Sequence, residues 1–187
     1  RDRSVSRGLG DVYKRQVLTP YGIYGVMGNH DYSYCYTKVA EAMEKNNVHL
    51  MEHKSYKLMK DGQHIIISGV RNPFDLKKNG DSPSQHFPAD DFILLLTHTP
   101  DYAEDTDVSN ANLVLAGHTH GGQVSLFKKY SPVKHSIYGN RFLTGRKENS
   151  AGVPIIITNG LGTSRMNVRL FTPSEVVLVV LHRVEKK

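Results

Sequence analysis

Three short segments place asparagine, histidine or aspartate directly after an apolar run. The first reads Gly-Val-Met-Gly-Asn-His-Asp and ends at Asp31. The second reads Leu-Leu-Leu-Thr-His-Thr-Pro and contains His98. The third reads Leu-Val-Leu-Ala-Gly-His-Thr-His-Gly-Gly and contains His118 and His120. Because the loops that follow the carboxyl ends of parallel strands converge on one crevice, we expect these side chains to lie close together.

The residue types in the three segments favour a metal site. His118 and His120 are two residues apart, so they share a face of an extended segment or converge in a turn. Neutral imidazole suits Zn, Fe, Mn and Co, and an amide oxygen such as that of Asn29 suits harder cations. His98 adds a third imidazole. Mixed nitrogen and oxygen donors from separate strand ends are typical of a hydrolytic metal centre.

Each segment also has a plainer interpretation when it is taken alone. Gly-Asn-His-Asp is compatible with an ordinary turn, because Asn and Asp favour turn geometry. A lone histidine usually lies on the surface or forms a hydrogen bond, and we expect this of the histidines outside the three segments. These are His49, His53, His64, His86, His135 and His182. The combination and order of the segments, each at a strand end, favour the metal site.

The elements that must position these residues are mostly strands. Apolar runs and turn signals predict an α/β chain with one clear amphipathic helix at Thr37–Asn46 and a second helix near Asp101–Asp107. An Asp-Gly turn separates the two strands of a hairpin. Long loops are expected at 71–90 and 128–150. The predicted strands are Gly22–Met27, Ser55–Met59, His64–Val70, Phe92–Thr97, Asn112–Ala116, Ile155–Thr158 and Glu175–Val184.

Length, charge and cysteine content exclude several classes of protein. The 187 residues suit one domain, and the single cysteine, Cys35, excludes an intrachain disulfide framework and cysteine-rich zinc sites. Cys35 is expected to be a small packing residue. No apolar run approaches the roughly 18–20 residues of a membrane span. The net charge of +6 invites a nucleic-acid interpretation, but half of it lies in residues 1–16, and no aromatic platform interleaves the basic pairs. We therefore expect no nucleic-acid partner.

Residues 1–16 have neither helical nor strand periodicity. Their Ser, Arg and Gly content predicts disorder, and the segment resembles translated adapter sequence at the end of an assembled read. We predict that residues 1–16 are foreign or disordered, and that residues 17–187 are the C-terminal part of a single domain. An ordinary basic tail is the alternative.

The motifs together resemble the calcineurin-like metallophosphoesterases. The resemblance rests on Gly28-Asn29-His30-Asp31, on His98 and on Gly117-His118-Thr119-His120, and it covers about residues 17–184. The surrounding residues narrow it to the bacterial branch that includes YkuE-like and YaeI-like phosphoesterases. They are Gly25–Tyr32, Gly117–Val124, Asn159–Thr163, Val168–Phe171 and Pro173–Glu175.

This resemblance implies a metallophosphoesterase-like α/β/β/α sandwich of two mixed sheets and a two-metal hydrolase of phosphoesters or pyrophosphates. Asn29, His98 and His118 would ligate one metal, and His120 would ligate the other. The two divalent ions would be Mn, with Fe, Zn or Co as alternatives. His30 would approach the scissile phosphate, and Asp31 would hold the His30 imidazole in position.

The sequence departs from the family pattern upstream of Val17. The motifs Asp-x-His and Gly-Asp-x-x-Asp are absent. They would supply one aspartate and one histidine to the first metal and the aspartate that bridges both metals, and Asp11 in Gly-Asp-Val-Tyr-Lys is a poor match for them. We therefore expect a half-site that binds metal weakly, a fold that is incomplete at its N-terminus, and marginal stability.

Other residues have weaker indications. Tyr32 follows the first motif and is a candidate substrate contact, and Arg165 and Arg169 are candidate phosphate contacts, since Arg binds phosphate bidentately. Surface solvation is the alternative for both arginines. Lys128, Lys129, Lys134 and His135 follow the third motif and are candidates for peripheral contact with an acidic membrane. We expect no hydrophobic anchor among them.

Three functional hypotheses follow from these observations. The first is a metallophosphoesterase that acts on a phosphorylated small molecule. The second narrows the substrate to a lipid-linked pyrophosphate such as a UDP-diacylglucosamine. The third is a non-catalytic metal-binding or interaction module. Any signal or membrane anchor would lie outside residues 17–187, so localisation is left open.

Overall fold

The computed structural model describes residues 19–75, 80–127 and 129–182. Residues 1–16, Asp11 among them, lie outside these ranges, as does Lys128. Besides a π-helical turn at Asp31–Cys35 and 3₁₀ turns at Pro83–His86 and His120–Gly122, the described residues form two α-helices and eight strands, numbered here in chain order. They are β1 (Ile23–Gly25), α1 (Tyr36–Lys45), β2 (Val48–Leu50), β3 (Lys54–Lys60), β4 (Gln63–Gly69), β5 (Ile93–Leu96), α2 (Tyr102–Asp105), β6 (Leu113–Ala116), β7 (Gly145–Glu148) and β8 (Pro154–Ile157).

The strands make two sheets. The larger sheet has the order β3-β4-β5-β6-β8-β7 and is mixed, because β4, β5, β6 and β8 run parallel while β3 and β7 are antiparallel edge strands. The smaller sheet pairs β1 with β2 in parallel, with Ile23 opposite Val48. The two sheets meet at Gly69, where an added Cβ would lie 2.2 Å from the Met51 Cβ. This mixed α/β architecture is consistent with the fold class expected from the sequence.

The core lies against the four parallel strands of the larger sheet. Tyr102 and Phe142, which are 1% and 0% exposed, are the largest side chains in it. Both faces of a parallel sheet must be covered, so its strands are continuous apolar runs such as Leu-Val-Leu-Ala in β6. The other core residues are Val70, Leu95, Ala103, Val108, Ala111, Val114, Ala116, Val153, Ile155 and Ile157. A rigid packed sheet is therefore the platform for the loops that follow β5 and β6.

Most elements occur where the sequence predicts them. The Asp-Gly turn joins β3 to β4, and both Asp61 and Gly62 have positive φ, at 51° and 74°, as a tight hairpin turn requires. Helix α1 ends before Asn47, whose φ of 54° stops the helical backbone. Two short strands, β2 and β7, are absent from the sequence prediction. The alternation that identifies a half-buried strand needs about four or more residues, and neither segment has a clear one.

The predicted strand Glu175–Val184 is wrong over the residues that the structure describes, which reach 182. From Ser174 to His182 the backbone forms no strand. A strand needs a neighbour to bond its backbone groups, and among the described residues none pairs with this segment. Val176, Leu178 and Val180 are instead 82%, 87% and 62% exposed. The burial that the apolar run predicts is therefore wrong as well, because no element of the described chain covers this segment.

Candidate metal centre

The loops after β5 and β6 bring two imidazoles into contact. The parallel register places Leu96 opposite Leu115, and Gly117 N–H donates to the His98 carbonyl at 3.0 Å. The side chains that follow therefore emerge at one edge of the sheet. His118 Nδ1 lies 3.0 Å from His98 Nε2, and the two ring centroids are 4.8 Å apart.

Asn29 joins this pair from the other sheet. Its side-chain oxygen Oδ1 lies 3.0 Å from His98 Nε2. The preceding residue, Gly28, makes the approach possible, because a Cβ there would lie 2.6 Å from the His98 ring. His118 reaches its position with a φ of 68°, in the left-handed region that few side chains adopt. Such strained backbone is concentrated at functional sites.

The electrostatic environment keeps these imidazoles neutral. Burial, followed by the neighbouring histidines 118, 120 and 30, lowers the pKa of His98 to about 3. Burial also lowers the pKa of His118, with His135 as the next cause. A neutral imidazole has a free lone pair on one nitrogen, which is the form that ligates a metal. Near pH 7 a metal can therefore bind these histidines without first displacing a proton from a charged imidazolium.

The donor atoms fit a divalent cation in type and in convergence. Asn29 Oδ1 and His118 Nδ1 each lie 3.0 Å from His98 Nε2, so three atoms that can ligate a metal are clustered around His98 Nε2. The described residues contain no group of three or more His, Cys, Asp or Glu that could hold a metal, and the third donor here is an amide. The centre thus offers three ligands and no carboxylate, which is fewer than the four to six that divalent metals take.

His120 lies beside this centre and is held separately. Its φ is 51°, and its Nδ1 lies 3.2 Å from the Gly162 carbonyl, which can only accept. The proton is therefore on Nδ1, and Nε2 keeps its lone pair for a ligand. Burial lowers the pKa of His120. His120 is not among the three clustered atoms of Asn29, His98 and His118, and its assignment to a second metal stays a prediction.

His30 and Asp31 follow Asn29 directly in the chain. His30 is exposed, and its ring stacks on Tyr34 with centroids 5.8 Å apart. The Asp31 carboxylate accepts a hydrogen bond from Gly28 N–H at 2.8 Å. This bond fixes the loop that carries Asn29. Among the described residues, no hydrogen bond joins the Asp31 carboxylate to the His30 imidazole. The catalytic roles of His30 and Asp31 stay predictions.

The two candidate substrate contacts are engaged within the protein. Tyr32 Oη donates to Glu52 Oε1 at 3.0 Å and accepts from Asn72 N–H at 2.8 Å, and burial raises its pKa. The Arg169 guanidinium donates to backbone carbonyls, including that of His120 at 3.3 Å. Their roles in substrate binding stay predictions. Arg165 is exposed.

His135 and Phe74 are close to the centre and were missed by the sequence analysis. The His135 ring lies 6.2 Å from that of His118 and 6.3 Å from that of His120. Phe74 meets the rings of His98 and His118 edge-on, at 6.1 and 5.2 Å. Both residues belong to loops whose sequence has no hydrophobic periodicity. Only their positions between the three motifs, or after the third, could have suggested that they lie near the centre. His135 is therefore not the isolated surface histidine that was expected.

A comparison with family models decides the classification. The model described as calcineurin-like phosphoesterase matches residues 2–122, which is more than half of the chain and contains Asn29, His98, His118 and His120. The chain belongs to the calcineurin-like phosphoesterase family. Members of this family are hydrolases that use divalent metals, in agreement with the donor set described above. The number and identity of the metals in this chain stay predictions, and so does the foreign origin of residues 1–16.

Curated relatives agree with the family match. The chain is 26% identical over 180 residues to the uncharacterized metallophosphoesterase YkoQ of Bacillus subtilis, and the alignment covers 94% of this chain and 66% of YkoQ. It is 27% identical over 169 residues to YkuE of the same organism, covering 89% of this chain and 58% of YkuE. An uncharacterized metallophosphoesterase of Aquifex aeolicus is 26% identical over 175 residues, with coverages of 87% and 61%.

These relatives are longer than the region they share with this chain. The chain spans about six-tenths of their length. No solved structure matches the chain. Among the described residues, no helix is long and apolar enough to cross a membrane.

Proposed function

We propose that this chain is part of a metal-dependent hydrolase of phosphoesters or pyrophosphates that uses two divalent ions, Mn in the first instance. The observation that carries the proposal is the convergence of Asn29 Oδ1, His98 Nε2 and His118 Nδ1 within one family-defining motif set. These three side chains hold the first metal. His120 Nε2 is a ligand of the second, since its Nδ1 is engaged with Gly162.

Bound divalent metals would supply Lewis-acid activation of the phosphate and of the attacking water. The residues of this chain then have three tasks. Asn29, His98 and His118 fix the position of the cation with neutral donors. His30, which is exposed, donates a proton from a ring nitrogen to the leaving oxygen. Gly28 and Asp31 hold the loop so that Asn29 faces His98.

The ligand set of the described residues lacks carboxylates, and two divalent cations carry four positive charges. We propose that the remaining ligands, in Asp-x-His and Gly-Asp-x-x-Asp motifs, come from additional sequence of the parent protein. The greater length of the relatives supports this proposal. Without those ligands the chain is expected to bind metal weakly, because affinity depends on the number and charge of the ligands.

The test of this proposal has a genetic and a biochemical part. The reading frame upstream of Val17 in the parent gene should contain both motifs, and a chain with that sequence restored should hydrolyse bis(p-nitrophenyl) phosphate in the presence of Mn²⁺. His118→Gln should abolish the Mn²⁺-dependent rate. His182→Gln, which replaces an exposed histidine outside the site, should leave it unchanged. An upstream frame without the motifs, or a restored chain without Mn²⁺-dependent activity, supports the non-catalytic module instead.

We further propose a lipid-linked substrate, such as a UDP-sugar lipid, with peripheral contact to an anionic membrane. The loop after the third motif carries exposed apolar side chains together with Lys129 and Lys134, and it includes His135 beside the metal centre. An anchor of this kind was not expected from the sequence. The exposed apolar residues are Leu126 at 54%, Phe127 at 86%, Tyr130 at 53%, Val133 at 46% and Ile137 at 78%.

Vesicle sedimentation tests the membrane contact. The chain should sediment with vesicles that contain phosphatidylglycerol and less with pure phosphatidylcholine, because both apolar insertion and lysine charge contribute. The double variant Phe127→Ser, Ile137→Ser should lose most of the binding. A matched change of two exposed apolar residues elsewhere, Val176→Ser and Leu178→Ser, should retain it. Equal sedimentation of both variants would favour a soluble small-molecule substrate.

A further inference from the structure

The Arg169 guanidinium is surrounded by backbone carbonyls. Its two terminal nitrogens donate five hydrogen bonds, four of them between 2.8 and 3.3 Å long. All five acceptors are carbonyl oxygens, so the guanidinium meets the negative ends of carbonyl dipoles. The accepting carbonyls belong to His120, Asn159, Gly160, Gly162 and Thr172.

One of these carbonyls also orients the His120 ring. The Gly162 oxygen accepts from Arg169 Nη2 and from His120 Nδ1, the latter at 3.2 Å. Arg169 Nη1 donates to the backbone carbonyl of His120 itself at 3.3 Å. The guanidinium therefore holds both the backbone of His120 and the acceptor of its side chain.

The turn that carries His120 is packed tightly against the same loop. A Cβ on Gly121 would lie 2.2 Å from Asn159 Oδ1 and 2.4 Å from Thr172 Cγ2. His120 has a φ of 51°, which costs energy unless neighbouring contacts maintain it. The carbonyls that meet at Arg169 would repel one another and lie unsatisfied without a donor between them. The conformation of His120 thus depends on a donor at position 169.

No other side chain supplies the same geometry. The two terminal nitrogens of a guanidinium carry four donors in one plane, whereas a lysine places three donors on one flexible nitrogen. The carbonyls lie on both sides of the fork, with His120 and Thr172 at Nη1 and the 159–162 segment at Nη2. A lysine can satisfy one side only.

We propose that Arg169 is a positioning residue that fixes the tautomer and direction of the His120 imidazole. It holds the Gly162 carbonyl where that carbonyl accepts the Nδ1 proton, and so it leaves Nε2 bare and directed to a metal. The tautomer part of this inference is independent of catalysis, whereas the metal part rests on the proposed function. Substitution of partners that orient a ligating histidine typically lowers metal affinity 10- to 100-fold.

The test is ¹⁵N–¹H correlation NMR of the imidazoles in the metal-free full chain at about pH 8, where an ordinary histidine is neutral. Wild-type His120 should carry its proton on Nδ1. In Arg169→Lys and Arg169→Gln the Nε2-protonated form should gain population. Arg141→Gln is the matched control, because Arg141 also donates several hydrogen bonds, to Glu104, Glu148 and Ser150, none of which belongs to the site.

A titration with Zn²⁺ supplies a second measurement on the same samples. The midpoint of the His120 Nε2 shift should rise about 10-fold or more in Arg169→Lys, while the response of His98 and His118 is little changed. A wild-type His120 protonated on Nε2 overturns the proposal whether or not the variants fold. A folded Arg169→Lys with the wild-type tautomer and midpoint also overturns it. If His120 has the expected tautomer but no Zn²⁺ response, the proposed function fails and the positioning role stands.

Discussion

The Nε2 atom of His98 lies 3.0 Å from the Nδ1 atom of His118, although 20 residues separate them in the sequence. The pairing of β5 with β6 creates this proximity, because both strands end at the same edge of the sheet. Two imidazole nitrogens this close cannot both carry a proton. The arrangement therefore leaves at least one free lone pair, which would be available to a bound divalent cation.

The close approach of Asn29 to His98 depends on the absence of a side chain at Gly28. In Gly28→Ala the new Cβ would lie 2.6 Å from the His98 ring, so the ring or the loop must move. We expect at least a 10-fold loss of Mn²⁺ or Zn²⁺ affinity, measured by isothermal titration calorimetry. Gly117→Ala is the control, because its Cβ would meet only atoms at 3.9 Å. Equal affinities in the two variants would contradict the described geometry.

The buried state of His98 predicts that the metal-free protein loses stability in acid. Burial and the neighbouring histidines lower its pKa from 6.5 to about 3, so between these values the unfolded state binds the proton more readily. The free energy of unfolding should fall as pH decreases from about 6.5, by at most about 1.4 kcal/mol per pH unit from this group. Below pH 3 both states are protonated and the contribution is constant.

Thermal melts of wild type and His98→Gln between pH 7.5 and 5 measure this effect. The wild-type Tm should decline more steeply with falling pH. Some slope remains in the variant, because burial also lowers the pKa of His118 and His120. Identical slopes would show that His98 is not protected from protonation in the folded state.

The lowered pKa of Glu104 predicts a second pH-dependent contribution to the free energy of unfolding, in a lower pH range than that of His98. Burial works against its ionisation, but hydrogen bonds from Ser150 and Arg141 outweigh this and lower its pKa below 4.5. The stabilisation is complete above pH 4.5 and is lost as pH falls through the lowered value in the folded state. Glu104→Gln should therefore reduce the Tm at pH 7 and flatten its decline between pH 5 and 3. Glu41→Gln, on the exposed side of α1, should do neither.

The C-terminal segment predicts self-association. Val176, Leu178 and Val180 are 82%, 87% and 62% exposed in an extended backbone that pairs with no strand of the described chain. Exposed apolar segments with unpaired backbone groups associate edge to edge. Changing all three residues to Ser should shift the protein toward monomer in sedimentation velocity, with little change in the Tm. The same oligomer distribution in the variant would mean that another surface causes association.

The sequence predicted the strand ends of the centre well, for a physical reason. Continuous apolar runs such as residues 93–96 and 113–116 are typical of buried parallel strands, and the polar residues that follow two adjacent parallel strands lie at the same edge. The position of Asn29 relative to His98 follows less directly. It depends on the contact between the two sheets at Gly69, which no local pattern encodes.

The sequence does not predict which residues the irregular loops bring into contact. His135 comes close to His118 because its loop is bonded to the residue before α2: the buried Asp101 accepts a hydrogen bond from Ile137 N–H at 2.9 Å. The carbonyl environment of Arg169 likewise exists only in the folded loop. Arginine fits either a phosphate or a cluster of carbonyls, and the residue type alone does not distinguish the two. The Glu175–Val184 strand was wrong because pairing depends on a partner as well as on composition.

The central claim is that Asn29, His98 and His118 form a divalent metal centre, and the metal content of the chain tests it most directly. The purified chain should be passed through gel filtration in Mn²⁺-containing buffer and analysed for metal per chain, alongside Asn29→Ala and His118→Gln. We predict that the metal content of the wild-type chain rises with Mn²⁺ concentration, up to one Mn²⁺ per chain, and that both variants bind much less. Equal metal content in wild type and variants, or none at any concentration, would contradict it.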